Sequence, residues 1–462
     1  MKKSICCFLV LCLCVLIFTS CNKNVSEPTT KGNKVVLTVG SWPSKEGVSL
    51  NAYNEALARF NEKYGDQIEI VPDHWTFDVQ TFLPKAASGQ LPTLYAAYFT
   101  EADRIIDAGY AADITEYMKK YDYEDKVNDT IKNMITRDGK MYLIPRDAYA
   151  FGILANLNLL REAGLVDEEE NPIMPKTYDE LVEYAKLVKE KTGKAGFIMP
   201  TAGRNGGWHF TVIAWSFGVK FMEKIDGKWK ATFNTPECVE ALQFIKDLKW
   251  KHNVLNPNVL INLSEAQKLF ATDQGAFYLA STPADNLFSN YGMNKDDIAM
   301  GTIPSGKKKH VTLMGGAFKV LAPNATEEQK DAAFKWLEYE GVTPHLTDTS
   351  RESLESKYKS RAAEGFIIGI PTFSPWNNKA SVTQFEESLR QKYLNVNINH
   401  IKQYGNFDNV EIRAEEPVCC QDLYALLDAC IQAVLTDENA DCAELIANAA
   451  RDFQVNNLDN AQ

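Results

Sequence analysis

Asp138-Gly-Lys-Met-Tyr-Leu-Ile-Pro145 runs through Arg146-Asp147-Ala148-Tyr149 into Gly152-Ile-Leu-Ala-Asn156, and Pro175-Lys-Thr-Tyr-Asp-Glu-Leu181 follows. Residues 141–145 and 152–156 are short apolar runs that read as two strands. Thr177 with Glu180 forms a capping box, and Leu181, Val182, Ala185 and Val188 then fall on one helical face. Strands feeding a helix are the unit of an α/β fold, so this segment sets the class.

The same alternation extends outward. Residues 35–39, 67–71 and 94–99 read as strands, and Leu50, Tyr53, Leu57 and Phe60 recur at helical spacing. Thr235 before Pro236 starts a helix, and Ser264 with Gln267 and Thr326 with Gln329 mark two more. Residues 275–280, 298–303 and 317–321 read as strands. After Ser350 the chain reads as mostly helical, with Asp441 and Glu444 capping the last helix. The alternation implies largely parallel sheets, which bind ligands at the carboxyl ends of their strands. The loops after strands are therefore where a site is sought.

The 462 residues hold 61 acidic and 49 basic side chains, a net charge of −12. So acidic a surface argues against nucleic acid and against anionic lipid as partners. The length suits two domains better than one core. No G-x-S-x-G, H-E-x-x-H, G-x-G-x-x-G or P-loop occurs, and the six histidines are isolated.

At the start of the chain, Lys2 and Lys3 precede an uncharged stretch, 5–18, of signal-peptide length. Phe18-Thr19-Ser20-Cys21 resembles a bacterial lipobox, with Phe18 where a branched aliphatic is usual. The expectation is a signal peptide over 1–20 and a lipid on Cys21. The polar residues 21–33 then form a tether, and folded sequence begins near Lys34. Removing 1–20 takes two lysines and no acid, leaving a net −14. An ordinary signal peptide cut nearby and an uncleaved anchor are the other readings. Past the tether five cysteines remain: Cys238, Cys419, Cys420, Cys430 and Cys442. Their spacing fits no zinc site, and an odd number leaves at least one thiol free or paired outside the chain. Cys238, with Leu242, Ile245 and Leu248, reads as buried. Cys430 and Cys442, on neighbouring expected helices, read either as thiols or as a bridge.

One ordered series carries a family resemblance. Asp138 to Pro145, then Leu154-Ala-Asn156, Leu160-Arg-Glu-Ala-Gly164 and the Pro175 segment resemble the central signature of family 1 extracellular solute-binding proteins, the sugar-binding components of ABC importers. Leu269-Phe-Ala-Thr-Asp-Gln-Gly-Ala-Phe-Tyr278, Ile303-Pro304, Gly315-Gly316 and Ala332-Ala-Phe-Lys-Trp-Leu337 continue it. The resemblance implies an α/β, two-lobed periplasmic-binding-protein-like fold, a hinged trap, with a helical C-terminal segment. Lobe one would be 34–145 with 304–343 and lobe two 146–303 with 344–462. The chain would cross near Pro145, Pro304 and Pro344.

A sugar is held by an aromatic plate under its ring and polar groups around its rim. Ser41-Trp42 follows the first strand, where Trp42 either meets ligand or covers a helix end; Lys45 and Glu46 beside it read as solvated. Tyr98 and Glu101 follow the third strand. Arg146, Asp147 and Tyr149 lie on the first crossing, where Arg146 and Asp147 also read as an internal ion pair. In Gly203-Arg-Asn-Gly-Gly-Trp208 the glycines imply an exposed loop, and the resemblance makes Trp208 a platform, with Asn205 beside it. Ser281 stands where the family often has an aromatic. Gly315 and Gly316 either admit ligand to the backbone or form a turn, and Trp376 resembles a second platform. Trp215 reads as structural.

The expectation is thus a non-enzymatic carrier of a carbohydrate, an oligosaccharide in particular. It would be a monomer without metal or other cofactor, lipid-anchored on the extracytoplasmic face and serving ABC importer membrane subunits. An exported glycoside hydrolase, and the same fold holding a polyamine, peptide or other solute, are the alternatives.

Overall fold

The strands expected at 141–145 and 152–156 are one strand, Leu143–Asn156, in the computed structural model. The structure describes residues 30–281, 287–288, 290–370, 373–405 and 407–461. The expected signal segment, Cys21 and most of the tether lie outside these residues. Val311–Leu321 pairs with the first part of Leu143–Asn156, and Gly275–Ser281 and Ile298–Thr302 pair with the rest. Arg146, Asp147 and Tyr149 interrupt the apolar pattern because the strand is only half-buried there, between two cores.

Two large cores flank that stretch. The first gathers Leu37, Phe60, Leu94, Leu143, Phe318 and Trp336. The second gathers Phe151, Leu160, Phe197, Phe210, Val311 and Leu423, and a smaller cluster around Phe270, Tyr278 and Tyr404 adjoins it. Val311–Leu321 is the other crossing strand. Val311 and Leu313 belong to the second core and Met314 and Phe318 to the first, so this crossing falls between Leu313 and Met314 rather than at Pro304. A second correction concerns 344–462, expected to lie wholly in lobe two. Leu354, Tyr358, Trp376, Val382 and Leu389 pack into the first core instead, because the helices Asp348–Ala363 and Ser381–Lys392 bury their apolar faces against it.

The sheet is mixed, not largely parallel. Lys34–Val39 runs parallel to Ile68–Pro72 and Leu94–Tyr98, and Gly275–Ser281 parallel to Ala195–Ile198. The crossing strands pair antiparallel with each other and with Leu94–Tyr98, Gly275–Ser281 and Ile298–Thr302, while Val311–Leu321 pairs parallel with Glu411–Ala414. Several short strands were not expected, two of them in stretches read otherwise. Thr30–Lys31, inside the anticipated tether, pairs with Lys34 and Val35, and Glu411–Ala414 pairs with Val311–Met314 in the region read as helical.

Most helix starts follow their capping residues. The Thr177 hydroxyl accepts from Glu180 N at 3.1 Å, Thr235 caps Pro236–Trp250, and Asp441 caps Cys442–Asn456. Thr326 and Gln329 complete a reciprocal box. The box expected at Ser264 lies two residues earlier. Asn262 and Glu265 exchange bonds of 3.0 and 2.8 Å, and the helix begins at Leu263. All five described cysteines are free thiols, Cys238 buried as expected; Cys430 donates to Leu445 O and forms no bridge. Among the described residues no helix is long and apolar enough to cross a membrane, and no metal-ligand cluster forms.

Candidate functional site

A cavity of about 570 Å³ opens between the two cores. Its floor is the crossing strand at Arg146, Asp147, Ala148 and Tyr149. Trp208, Leu263, Gln267 and Tyr278 form one wall. Lys357, Arg361, Glu386 and Arg390, with the loop carrying Phe373 and Trp376, form the other.

Trp208 reaches the cavity from a helix, not from an exposed loop. Gly203 and Arg204 take positive φ values of 71° and 69°, and the helix Asn205–Ser216 begins immediately after them. Gly206 and Gly207 lie inside it. A Cβ on Gly207 would stand 2.3 Å from Tyr424 O, so this glycine lets the helix press against the helix Cys420–Thr436. Asp428, on that second helix, accepts the backbone N–H groups of Arg204 and Gly207 at 2.6 and 2.7 Å. It thereby caps Asn205–Ser216 from more than 200 residues away. Burial pushes its carboxyl up to about 6 despite these bonds. The Trp208 ring packs on Phe151 at 4.5 Å and edge-on to Tyr149 at 6.1 Å. Behind it, Glu415 receives a hydrogen bond from Tyr424 Oη at 2.9 Å, and the Trp208 indole stands near enough to favour its charged form. Full burial pushes Glu415 up to about 8.

Asp147, Tyr149, Trp208 and Trp376 are therefore brought together on one cavity. Arg146 Nε and Asp147 Oδ2 are 2.5 Å apart, so the ion-pair reading also holds, and both residues face the cavity. Trp376 is mostly buried, edge-on to Tyr123 at 5.6 Å. Gly315 and Gly316 are neither turn nor cavity lining. They sit inside Val311–Leu321, where Gly315 leaves room for the Tyr149 ring and Gly316 for Phe99 and the Asp147 carbonyl.

The remaining expected residues lie elsewhere. Trp42 is 4% exposed in the first core, stacked on Trp336 at 5.6 Å and edge-on to Tyr53 at 4.9 Å. That enclosure favours the covering role over ligand contact for Trp42, whereas Lys45 and Glu46 are solvated as read. Tyr98 is exposed and edge-on to Phe77. Glu101 is buried beside Arg104 at 3.3 Å, in a separate cavity of about 330 Å³ shared with Cys419 and Asp422; burial pushes its carboxyl up to about 7. The Asn205 side chain donates to Ala202 O and Gly203 O, holding the turn before its helix. Ser281 ends a strand of the second lobe, and its side chain lies outside the described residues. Trp215 is fully buried, as read.

Lys357, Arg361, Glu386, Arg390, Glu415, Tyr424 and Asp428 were not singled out from the sequence. Only the i, i+4 spacing of Lys357 with Arg361 and of Glu386 with Arg390 could have signalled any of them. The others act through contacts between distant segments.

The family described as bacterial extracellular solute-binding protein matches residues 45–339. The arabinooligosaccharide-binding protein of Halalkalibacterium halodurans is 24% identical over 216 residues, 45% of this chain and 45% of its own length. The polygalacturonan/rhamnogalacturonan-binding protein YtcQ of Bacillus subtilis is 26% identical over 268 residues, 54% of this chain and 51% of its own. The chain thus spans about half the length of the curated relatives it matches. The solved structure of maltose-bound T. maritima MalE3 superposes with a TM-score of 0.66 at 20% identity, covering 91% of this chain and 99% of that one. The fold is the two-lobed arrangement of the solute-binding proteins.

Proposed function

The chain belongs to the bacterial extracellular solute-binding proteins, and we propose that it captures an oligosaccharide in the cavity between its lobes and delivers it to an ABC importer. The observation that carries this reading is the cavity itself. Aromatic rings from one lobe and polar side chains from the other converge on a crossing strand, so one ligand touches both lobes. A ligand that does so stabilises the closed arrangement of a hinged pair. The changes of core at Arg146–Ala150, between Leu313 and Met314 and between Leu389 and Val396 support dividing the lobes there. Two curated relatives carry oligosaccharide or polysaccharide binding in their names, which favours carbohydrate over polyamine or peptide. A lipid on Cys21 and the short tether after it would hold the trap beside its importer as a monomer. Replacing Cys21 would then release the protein without changing its affinity.

The test is a glycan panel against the purified protein. A binding glycan shifts tryptophan fluorescence, through Trp208, and raises the melting temperature. A panel that moves neither signal removes the carbohydrate reading. Turnover of a bound glycan would replace it with the hydrolase.

A further inference from the structure

We propose that this cavity takes an oligosaccharide bearing anionic groups, of which uronate carboxylates and ester sulfates are the two sources; the inference rests on the cavity being the ligand site.

The two walls differ in kind. The wall from lobe two offers rings and an amide: Trp208, Tyr278 and Gln267. The opposite wall offers charge. Lys357 and Arg361 stand four residues apart on the helix Asp348–Ala363, and Arg390 on Ser381–Lys392. With Arg146 they make four cations on the lining, against the carboxylates of Asp147 and Glu386. Acids outnumber bases over the whole chain, 61 to 49, so a lining with twice as many cations as carboxylates departs from the background.

The adjoining cavity strengthens the bias. About 320 Å³ in volume, it shares Arg146, Asp147, Lys357 and Arg361 with the first, so these four side chains stand between the two spaces. Its own carboxylates are each engaged through one oxygen, and Glu340 Oε2 is buried without a donor. Glu340 is bound by Lys319 and by Tyr53, and Glu55 accepts from Ser356 at 2.8 Å. Its additional cation is not fully engaged. Arg59 reaches Ser353 Oγ through Nη2 at 2.8 Å, while its Nε is buried without an acceptor. A buried donor left without a partner is costly, and an anionic group entering here satisfies it. The cations are also held in place. The Arg361 guanidinium lies 4.8 Å over the Phe366 ring and Arg390 pairs with Glu387, so little side-chain freedom is lost on binding. Guanidinium forks match carboxylate and sulfate oxygens pairwise. A sugar ring against Trp208 with its acidic group toward Lys357 and Arg361 uses both walls at once.

The decisive experiment compares three probes by calorimetry: trigalacturonate, the neutral galactotriose made by reducing its carboxyls, and a sulfated galacto-oligosaccharide of equal length. The expected result is at least about tenfold tighter binding of an acidic probe than of the neutral one, a margin that shrinks as salt rises. The better acidic probe identifies the source. Lys357→Met with Arg361→Met should erase that margin at unchanged melting temperature, whereas Lys359→Met, on the same helix but off the cavity, should not. Neutral and acidic probes bound equally would overturn the inference. So would tight binding of some other neutral glycan while every acidic probe is refused, and both results would leave the oligosaccharide reading standing. No binding across the whole glycan panel removes that reading, and this inference with it.

Discussion

Trp42 lies in lobe one after the strand Lys34–Val39, stacked on Trp336 and edge-on to Tyr53. Trp208 lies in lobe two, packed on Phe151 and turned to the cavity. Each is a tryptophan following a glycine-bearing turn, and each is a reasonable ligand plate from its neighbours in sequence. The difference comes from segments far away. Trp336, on the helix Glu327–Glu340, covers Trp42. The helix Cys420–Thr436 supports Trp208 from behind and leaves its front to the cavity. Whether a tryptophan after such a turn can face ligand or fills a core is decided by what packs over it.

Substitution at Trp42 should separate the two most sharply. Trp42→Ala removes a buried stacked ring and should lower stability by about 3–5 kcal/mol in urea unfolding. Whatever folded protein remains should bind ligand normally. A variant that keeps its stability and loses its ligand would place Trp42 at the site and break the comparison.

Gly207→Ala attacks Trp208 from behind. The added carbon would meet Tyr424 O at 2.3 Å and Tyr424 Cα at 2.5 Å, and backbone atoms cannot give way as a flexible side chain can. Overpacking here should cost about 1–3 kcal/mol of stability. It should also weaken binding, because the helix that presents Trp208 must shift. Weakened stability at unchanged affinity would show that the platform tolerates movement of its helix.

Trp208→Ala should do the reverse of Trp42→Ala: a loss of at least about tenfold in affinity, about 1.4 kcal/mol, with a smaller stability change because the ring is only half-buried. Severe unfolding would make Trp208 a core residue and erase the contrast between the two lobes.

These cases also mark how far local pattern carries. Helix starts at Thr177, Thr235, Thr326 and Asp441 were legible because a cap acts over three residues. The box at 262–265 reads two residues late because Ser264-x-x-Gln267 satisfies the same short pattern as the pair that forms it. The crossing strand reads as two because the apolar period lapses where the strand leaves one core for the other. Of the candidate site, Asp147, Tyr149, Trp208 and Trp376 were legible as aromatic or charged residues at the ends or crossings of strands. The cationic wall was not, since Lys357 and Arg361 look like any solvated helix face until the fold sets them opposite Trp208. Glu415 and Asp428 had no local signal, because Glu415 meets Trp208, and Asp428 meets Arg204 and Gly207, only after the helix Cys420–Thr436 docks on lobe two.

Glu415 offers the subtlest test, one that separates support of Trp208 from simple burial. Its carboxyl is pushed up to about 8 from an ordinary 4.5, chiefly by burial, while the Tyr424 hydrogen bond and the nearby Trp208 indole oppose the shift. The folded protein therefore keeps a proton that the unfolded chain releases above the ordinary value. The resulting stability is complete below that value and is lost as pH rises through about 8. Glu101 and Asp428, raised to about 7 and about 6, act in the same direction. Glu415→Gln should change little at about pH 5, where acid and amide are both mostly neutral, and should flatten the decline in urea midpoint between about pH 5 and about pH 9. Trp42, enclosed in the first core by Trp336 and Tyr53, supplies the control: Trp42→Ala should lower the curve without changing its slope. An unaltered slope in Glu415→Gln would mean that Glu415 is not the group that titrates behind Trp208, and the support of that platform would then rest on Asp428 and the glycine contact alone.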